Sequence, residues 1–425
     1  MILRDVLDNG LCLLTEAMPH VRSISLGVWL TRGSRHESDS QAGISHFIEH
    51  MLFKGSTSRS AREIAEAIDT IGGQLDAFTA KEYAGYYVKV LDAHLPAALD
   101  ILSDLVLHPA FQDADIEREK KVVLEEIKMV EDTPDDLVHD LFTQYFWERH
   151  ALGRPILGSA ESVSGFTRDQ LRAFFEQAYV APNVIISAAG NLDHTQLRGL
   201  IESAFADLPS RGTTVPWVAP TMVSRLHVKD KDLEQSHLCL GTAGYQEDHD
   251  DRYVSYLLNT IFGGSMSSRL FQHVREERGL AYAVFSGLNA YRDAGALTVY
   301  AGCATESVDE VLGLVLEEMR TLAETAAPET ELQRAKDHLK GSLMLSLEHT
   351  SSRMSHLARQ EIYFSRQGSL DETLASIDRV TVDDVQRVAR DLFVDGVLAA
   401  TVLGPSAGLD LAPDRFGAGV GMLVE

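Results

Sequence analysis

Cysteine is scarce in this chain: Cys12, Cys239 and Cys303 are the only three in 425 residues, and no two form a CxxC pair. That spacing excludes a disulfide framework and a cysteine-ligated zinc site. Basic charge is also short. Lys and Arg number 38 against 63 Asp and Glu, for a formal net charge of -25. Nucleic-acid binding needs basic patches, so that partner class is excluded. A solvated acidic surface is expected, and it is compatible with a cationic substrate. Long apolar runs are missing too, and none reaches membrane-spanning length. The first residues, "MILRDVLDNGLCLLTEAMPH", have neither a basic start with an apolar run nor an Arg-rich, acid-free character. These absences predict a soluble protein of a reducing compartment, most simply cytoplasmic, with no membrane partner.

What the chain does have is length and pattern. At 425 residues, 45% hydrophobic and 24% charged, it exceeds one ordinary domain and can bury a sizeable core. "SISLGVWLTRG" alternates as a strand, with Ile24, Leu26, Val28 and Leu30 on one side. "SAREIAEAIDTIGG" reads as a helix ending in glycines, and "QLDAFTAKEYAGYYVKVL" as two strands around a turn. An amphipathic helix, closed by Pro109, and one long charged helical stretch over "DIEREKKVVLEEIKMVEDTPDDLVHDLFTQYFW" follow. The second part repeats this order, and its last strand, "VLAATVLGP", matches "NVIISAAGNL" about 213 residues earlier. The expected architecture is therefore α+β: two homologous domains, each a sandwich of helices on an antiparallel or mixed sheet. The domains are drawn at 1–210 and 226–425, with a Pro- and turn-rich linker at 211–225.

The stretch "GISHFIEHMLFKGS" carries the chemistry. His46, Glu49 and His50 stand at i, i+3 and i+4 and so share one helical face. Ile44, Phe47, Ile48 and Met51 cover the other side. Two imidazoles on successive turns suit zinc, and a carboxylate beside them can take a proton from metal-bound water. The repeat offers an internal comparison. With Phe53 set on Phe262, His46 meets Ser255, Glu49 meets Leu258 and His50 meets Asn259. The second copy keeps the scaffold and lacks the polar groups. A further ligand is sought in "EREKKVVLEEIKM", where Glu119 and Glu126 lie two helical turns apart on one face. One of the two would bind metal while the other holds a ligand from behind. In the repeat they fall on Ala335 and Ser342.

These residues give the chain a family resemblance. HxxEH, a glutamate 76 residues beyond the second histidine and the two-part repeat resemble the inverzincins of the pitrilysin family, in the processing-peptidase-like branch. The stretches "DAFTAKEYAGYYVKVL" and "GGSMSSRLFQHVREERGLAYAV" are similar as well. The resemblance implies one zinc ion per chain, with His46, His50 and Glu126 as ligands and Glu119 supporting them. It makes Glu49 the general base. It makes the strand of Asp76, Ala77, Phe78 and Thr79 the edge that holds a peptide substrate; the family usually has Asn where this chain has Asp76. It gives Arg275 and Tyr282 the tasks of binding substrate and stabilising the oxyanion. The implied activity is zinc-dependent endopeptidase action on unfolded or presequence-like peptides, inside a clamshell chamber of which one chain forms half. A homodimer is the simplest assembly, and a heterodimer with a degenerate paralogue its competitor. A non-catalytic partner subunit on the same scaffold is the alternative function; it predicts broken metal motifs, which this sequence does not show.

Overall fold

The computed structural model describes residues 1–212, 218–393, 398–407, 409, 411 and 421–424. Part of the linker drawn at 211–225 and the start of the last repeat strand fall outside the described residues. The strands of the first sheet are β1 (Ile2–Val6), β2 (Cys12–Ala17), β3 (Ser23–Leu30), β4 (Gln74–Thr79), β5 (Ala84–Leu91) and β6 (Val184–Gly190). Those of the second are β7 (Arg225–Asp230), β8 (Ser236–Gly244), β9 (Ala281–Ala290), β10 (Gly295–Cys303), β11 (Ala399–Gly404) and β12 (Gly421–Val424). The helices are α1 (Ile44–Leu52), α2 (Ala61–Thr70), α3 (Leu95–Leu107), α4 (Asp113–Glu131), α5 (Pro134–Phe146), α6 (Ala160–Gly165), α7 (Arg168–Ala178), α8 (His194–Ala204), α9 (Arg252–Phe262), α10 (Val308–Glu324), α11 (Glu329–Ser346), α12 (Thr350–Phe364), α13 (Leu370–Asp378) and α14 (Val382–Phe393).

The sheets run β1-β2-β6-β3-β5-β4 and β12-β7-β11-β8-β10-β9. Five positions correspond one to one, so the repeat read in the sequence is a repeat of topology. The sixth differs: β1 joins β2 antiparallel, whereas β12 joins β7 in parallel. Both sheets are mixed, and the α+β expectation holds.

The chain divides into two compact units that are not contiguous halves. The first takes Met1–Met129, Arg154–Trp217 and Leu345–Gln367; the second takes Val130–Gly153, Val218–Met344 and Gly368–Glu425. A helix from each half thus belongs to the other half's sheet. The physical cause is the two-faced burial of the central strands. In β3 every residue from Ile24 to Leu30 is buried. Ile24, Leu26, Val28 and Leu30 enter the core beneath α1 and α3, while Trp29 packs with Met354, Leu357 and Ala358 of α12. Trp29 Nε1 donates to Ser187 Oγ at 2.7 Å, and that hydroxyl donates to the Met354 carbonyl at 2.9 Å. In the second unit α5 has the same task, placing Val138, Phe142 and Phe146 against Cys239, Tyr300 and Leu403. The charged stretch expected as one helix is accordingly broken. Pro134 opens α5 just after α4 ends, because proline lacks the N–H an uninterrupted helix requires there.

Helix α1 is anchored through its apolar side. Phe47 is fully buried and meets Phe166 edge-on, with ring centroids 5.4 Å apart. Phe47→Ala is expected to cost about 3–5 kcal/mol of folding stability by urea denaturation. A loss under about 1 kcal/mol would mean the helix is held elsewhere. Among the described residues, no helix is long and apolar enough to cross a membrane.

Candidate metal centre

One face of α1 is apolar and buried at Ile44, Phe47, Ile48, Met51 and Leu52. The opposite face presents His46, Glu49 and His50 toward α4 and β4. His46 Nε2 and His50 Nε2 lie 3.2 Å apart. Glu126 Oε2 of α4 is 3.7 Å from the first and 3.6 Å from the second. A tetrahedral ion with bonds of about 2.0–2.2 Å spaces its donors roughly 3.3–3.6 Å apart. The two imidazole nitrogens and one carboxylate oxygen therefore fit zinc in number, chemistry and spacing. Among the described residues this is the one group of three or more His, Cys, Asp or Glu side chains close enough to hold a metal ion.

Glu119 stands behind His50. Its Oε1 accepts from His50 Nδ1 at 2.8 Å, and its Oε2 accepts from Lys54 Nζ at 2.8 Å. The His50 bond fixes the ring's orientation and leaves Nε2 facing Glu126 and His46. Burial pushes Glu119 upward, but the bonds from His50 and Lys54 outweigh it and hold the carboxyl below its ordinary range. Burial alone would lower His50; the Glu119 bond and the charges of Glu126, Glu119 and Glu49 raise it instead. Burial, with the neighbouring His50 charge, drops His46 to about 3, so it is held as neutral imidazole, the form that ligates. Unlike His50, His46 has no partner at Nδ1 among the described residues, so packing sets its ring plane.

Glu49 lies on the same face but outside the converging trio. Its Oε2 accepts from Thr79 Oγ1, at the end of β4. Burial raises its carboxyl above the ordinary range, and the Thr79 bond pulls the other way. β4 closes its sheet: it pairs with β5, and no described strand lies on its other side. The four residues expected to hold substrate thus differ in their side chains. Thr79 grips Glu49. Ala77 packs toward the core, and Phe78 lies on the opposite face against Trp29 and Tyr83. Asp76 accepts from Tyr87 Oη at 3.2 Å, and its other oxygen accepts the Ala77 N–H at 2.8 Å.

Arg275 and Tyr282 belong to the second unit, whereas the His46–His50–Glu126 trio belongs to the first. They are brought together: the Arg275 guanidinium lies 4.9 Å from the Tyr282 ring centroid and 4.7 Å from that of Phe271. The tyrosine is 81% exposed. The segment that carries Arg275 winds as a π-helix over Phe271–Glu276, a geometry that shifts which side chains share a face. In the repeat copy, Leu258 is fully buried and Asn259 Oδ1 accepts from Ser286 Oγ at 2.7 Å, so the corresponding positions of α9 serve packing.

Two participants escaped the sequence reading. Lys54 lies four residues after His50, and that spacing was a usable signal. Thr79 was assigned to substrate, and nothing local shows that its hydroxyl would reach Glu49, thirty positions away.

Comparison with known proteins gives the chain a family. Residues 12–160 match the profile described as insulinase (peptidase family M16), and residues 165–339 match that of the peptidase M16 inactive domain. The second match contains the repeat copy without the histidines. The chain is 42% identical to the uncharacterized zinc protease YmxG of Bacillus subtilis, over 96% of this chain and 100% of that protein. It is equally 42% identical to the uncharacterized zinc protease Rv2782c of Mycobacterium tuberculosis, over 98% of this chain and 96% of the relative. A crystal structure of a peptidase M16 inactive domain from Pseudomonas fluorescens superposes with a TM-score of 0.90 at 22% identity, covering 96% of this chain and 98% of that one. A protease from Helicobacter pylori follows at 0.88 and 22%, covering 95% and 99%. With two family profiles matched in chain order and relatives alike from end to end, the chain belongs to peptidase family M16, the insulinase or pitrilysin zinc proteases.

Proposed function

We propose that this family M16 chain is a zinc-dependent endopeptidase for unfolded or presequence-like peptides, with one zinc per chain held by His46, His50 and Glu126. The observation that carries the reading is the convergence of those three donors beside an intact Glu49, next to the open edge of β4. When bound, zinc supplies an acidified water and polarises the scissile carbonyl. Glu49 is the group that would take a proton from the attacking water and return it to the departing amine. Its raised carboxyl makes it a stronger base than an exposed glutamate. Thr79 keeps one of its oxygens fixed. The backbone of Asp76–Thr79 adds an extended substrate to the sheet, which favours peptides over compact substrates. Asp76 in place of the family's Asn leaves such backbone contacts possible.

Arg275 and Tyr282 fit the task of gripping substrate and stabilising negative charge on the carbonyl oxygen. In a homodimer forming a chamber, one protomer's pair would complete the other's metal site. A heterodimer with a degenerate paralogue would serve the same geometry. The buried free cysteines are compatible with a cytoplasmic setting. The intact donor set argues against a purely structural subunit.

The direct test is metal analysis with quenched-peptide cleavage on the full-length protein, before and after EDTA. One zinc equivalent per chain, cleavage of flexible peptides in preference to a folded protein, and loss of cleavage with EDTA are expected. Stoichiometric zinc with no turnover on any peptide library would sink the endopeptidase reading and favour the structural one.

A further inference from the structure

Helix α1 lacks the residue that normally closes a helix start. Its N-cap position is Gly43, with φ +89° and no side chain to accept the first free N–H groups. The glycine is required: a Cβ there would stand 2.5 Å from the Leu157 carbonyl oxygen. Sequence and sterics thus deny α1 a Ser, Thr, Asp or Asn cap at the end nearest His46.

Glu37 takes over that task from outside the helix. Its Oε2 accepts from Gly43 N and its Oε1 from Ser45 N, both at 2.8 Å. The residue is 6% exposed. Arg154 is the charged group facing it: its guanidinium donates to the Glu37 carbonyl oxygen and also engages Asp39. Burial pushes the Glu37 carboxyl up to about 7, against the opposing pull of the Ser45 and Gly43 donors and of Arg154. A solvent-facing cap would close the helix without burying a carboxylate. What the buried one adds is a bidentate clamp that fixes α1 in both translation and rotation. His46 follows Ser45 directly, and Glu49 lies one turn further.

We propose that Glu37 is a positioning residue for the metal centre, setting the place of His46 and Glu49 by clamping the N–H groups of Gly43 and Ser45. The inference rests on the zinc-peptidase reading above. Replacing the carboxylate by an amide puts an NH₂ group against one of the two N–H donors, so the clamp loses one arm while the volume is kept.

The test compares full-length wild type and Glu37→Gln. Zinc affinity is read by competition with a chromogenic chelator, and kcat and KM on a quenched peptide with zinc loaded. Zinc affinity about ten- to a hundredfold weaker is expected, as for groups that orient metal ligands. kcat should fall about tenfold with KM within about twofold, the signature of a misplaced reacting group. A variant with wild-type affinity and kcat that merely melts earlier would overturn the inference. If Glu37→Gln does not fold, hydrogen exchange on the zinc-loaded wild type decides. The Ser45 amide, which has no acceptor within its own helix, should exchange at least about a hundredfold below its free rate; free exchange there refutes the clamp. A wild type that takes up no zinc or cleaves nothing would instead refute the peptidase reading, so the two failures are distinguishable.

Discussion

Glu49→Gln retains its zinc and cleaves peptide about 10²–10⁴-fold more slowly than wild type. That range is the usual worth of a positioned general base. The prediction follows from where the side chain stands. Glu49 shares the face of His46 and His50 but is absent from the trio whose atoms converge within 4.8 Å. Glutamine has the same shape, and its amide oxygen can still accept from Thr79. Removing the charge thus removes the proton acceptor and leaves the helix and the metal donors in place. Metal analysis and kcat/KM on the same preparation check both halves. Equal cleavage by the two proteins would refute the role of Glu49. Lost zinc would show that Glu49 is a ligand after all.

Much of the fold was legible because its signals are local and periodic. β3, β4, β5 and α1 each follow from alternation or from the i, i+3, i+4 pattern, and the repeat revealed their counterparts. The exchange of helices between halves was not legible. Nothing within "TPDDLVHDLF" says that Val138 and Phe142 will cover the sheet of Cys239 and Tyr300, because that choice is made by long-range packing. Pro134 marked the break, but the charge pattern on both sides continues as if the helix did. The unlike edges, β1 and β12, were missed for a related reason. An edge strand is pinned by one neighbour only, and its own pattern is weak: in β1, only Ile2 and Asp5 are even partly buried.

The candidate site divides along the same line. HxxEH was readable because its chemistry sits within two turns of one helix. The spacing of seven between Glu119 and Glu126 put both on one face but could not say which would bind metal. Three-dimensional placement separates them. Glu119 is 3% exposed and already spends both oxygens on His50 and Lys54, while Glu126 turns an oxygen toward the two Nε2 atoms. The pairing of Arg275 with Tyr282 spans a π-helical turn and a strand start, so helical periodicity could not have indicated it.

That separation predicts two different losses from two chemically identical substitutions. Glu126→Gln removes the one anionic donor of the trio, and zinc affinity should fall by more than about a hundredfold. Its side chain is 32% exposed and its oxygen sits 3.6–3.7 Å from the histidines, so the metal-free protein should keep its stability within about 0.5 kcal/mol. Glu119→Gln leaves the trio intact but weakens the bond that orients His50 and strips Lys54 of its ion-pair partner. Zinc affinity should fall less, by about ten- to a hundredfold. The metal-free protein should lose about 1–3 kcal/mol, because a buried, charge-assisted contact is broken. The pH dependence carries the sign. Glu119 is depressed in the folded state, so its contribution is present above the ordinary carboxylate range and disappears on acidification through the lowered value. Wild type and Glu119→Gln should therefore differ in stability at neutral pH and converge in acid. Chelator competition and urea denaturation of the EDTA-treated proteins read the two quantities separately. A greater zinc loss in Glu119→Gln than in Glu126→Gln would reverse the assignment of the two carboxylates.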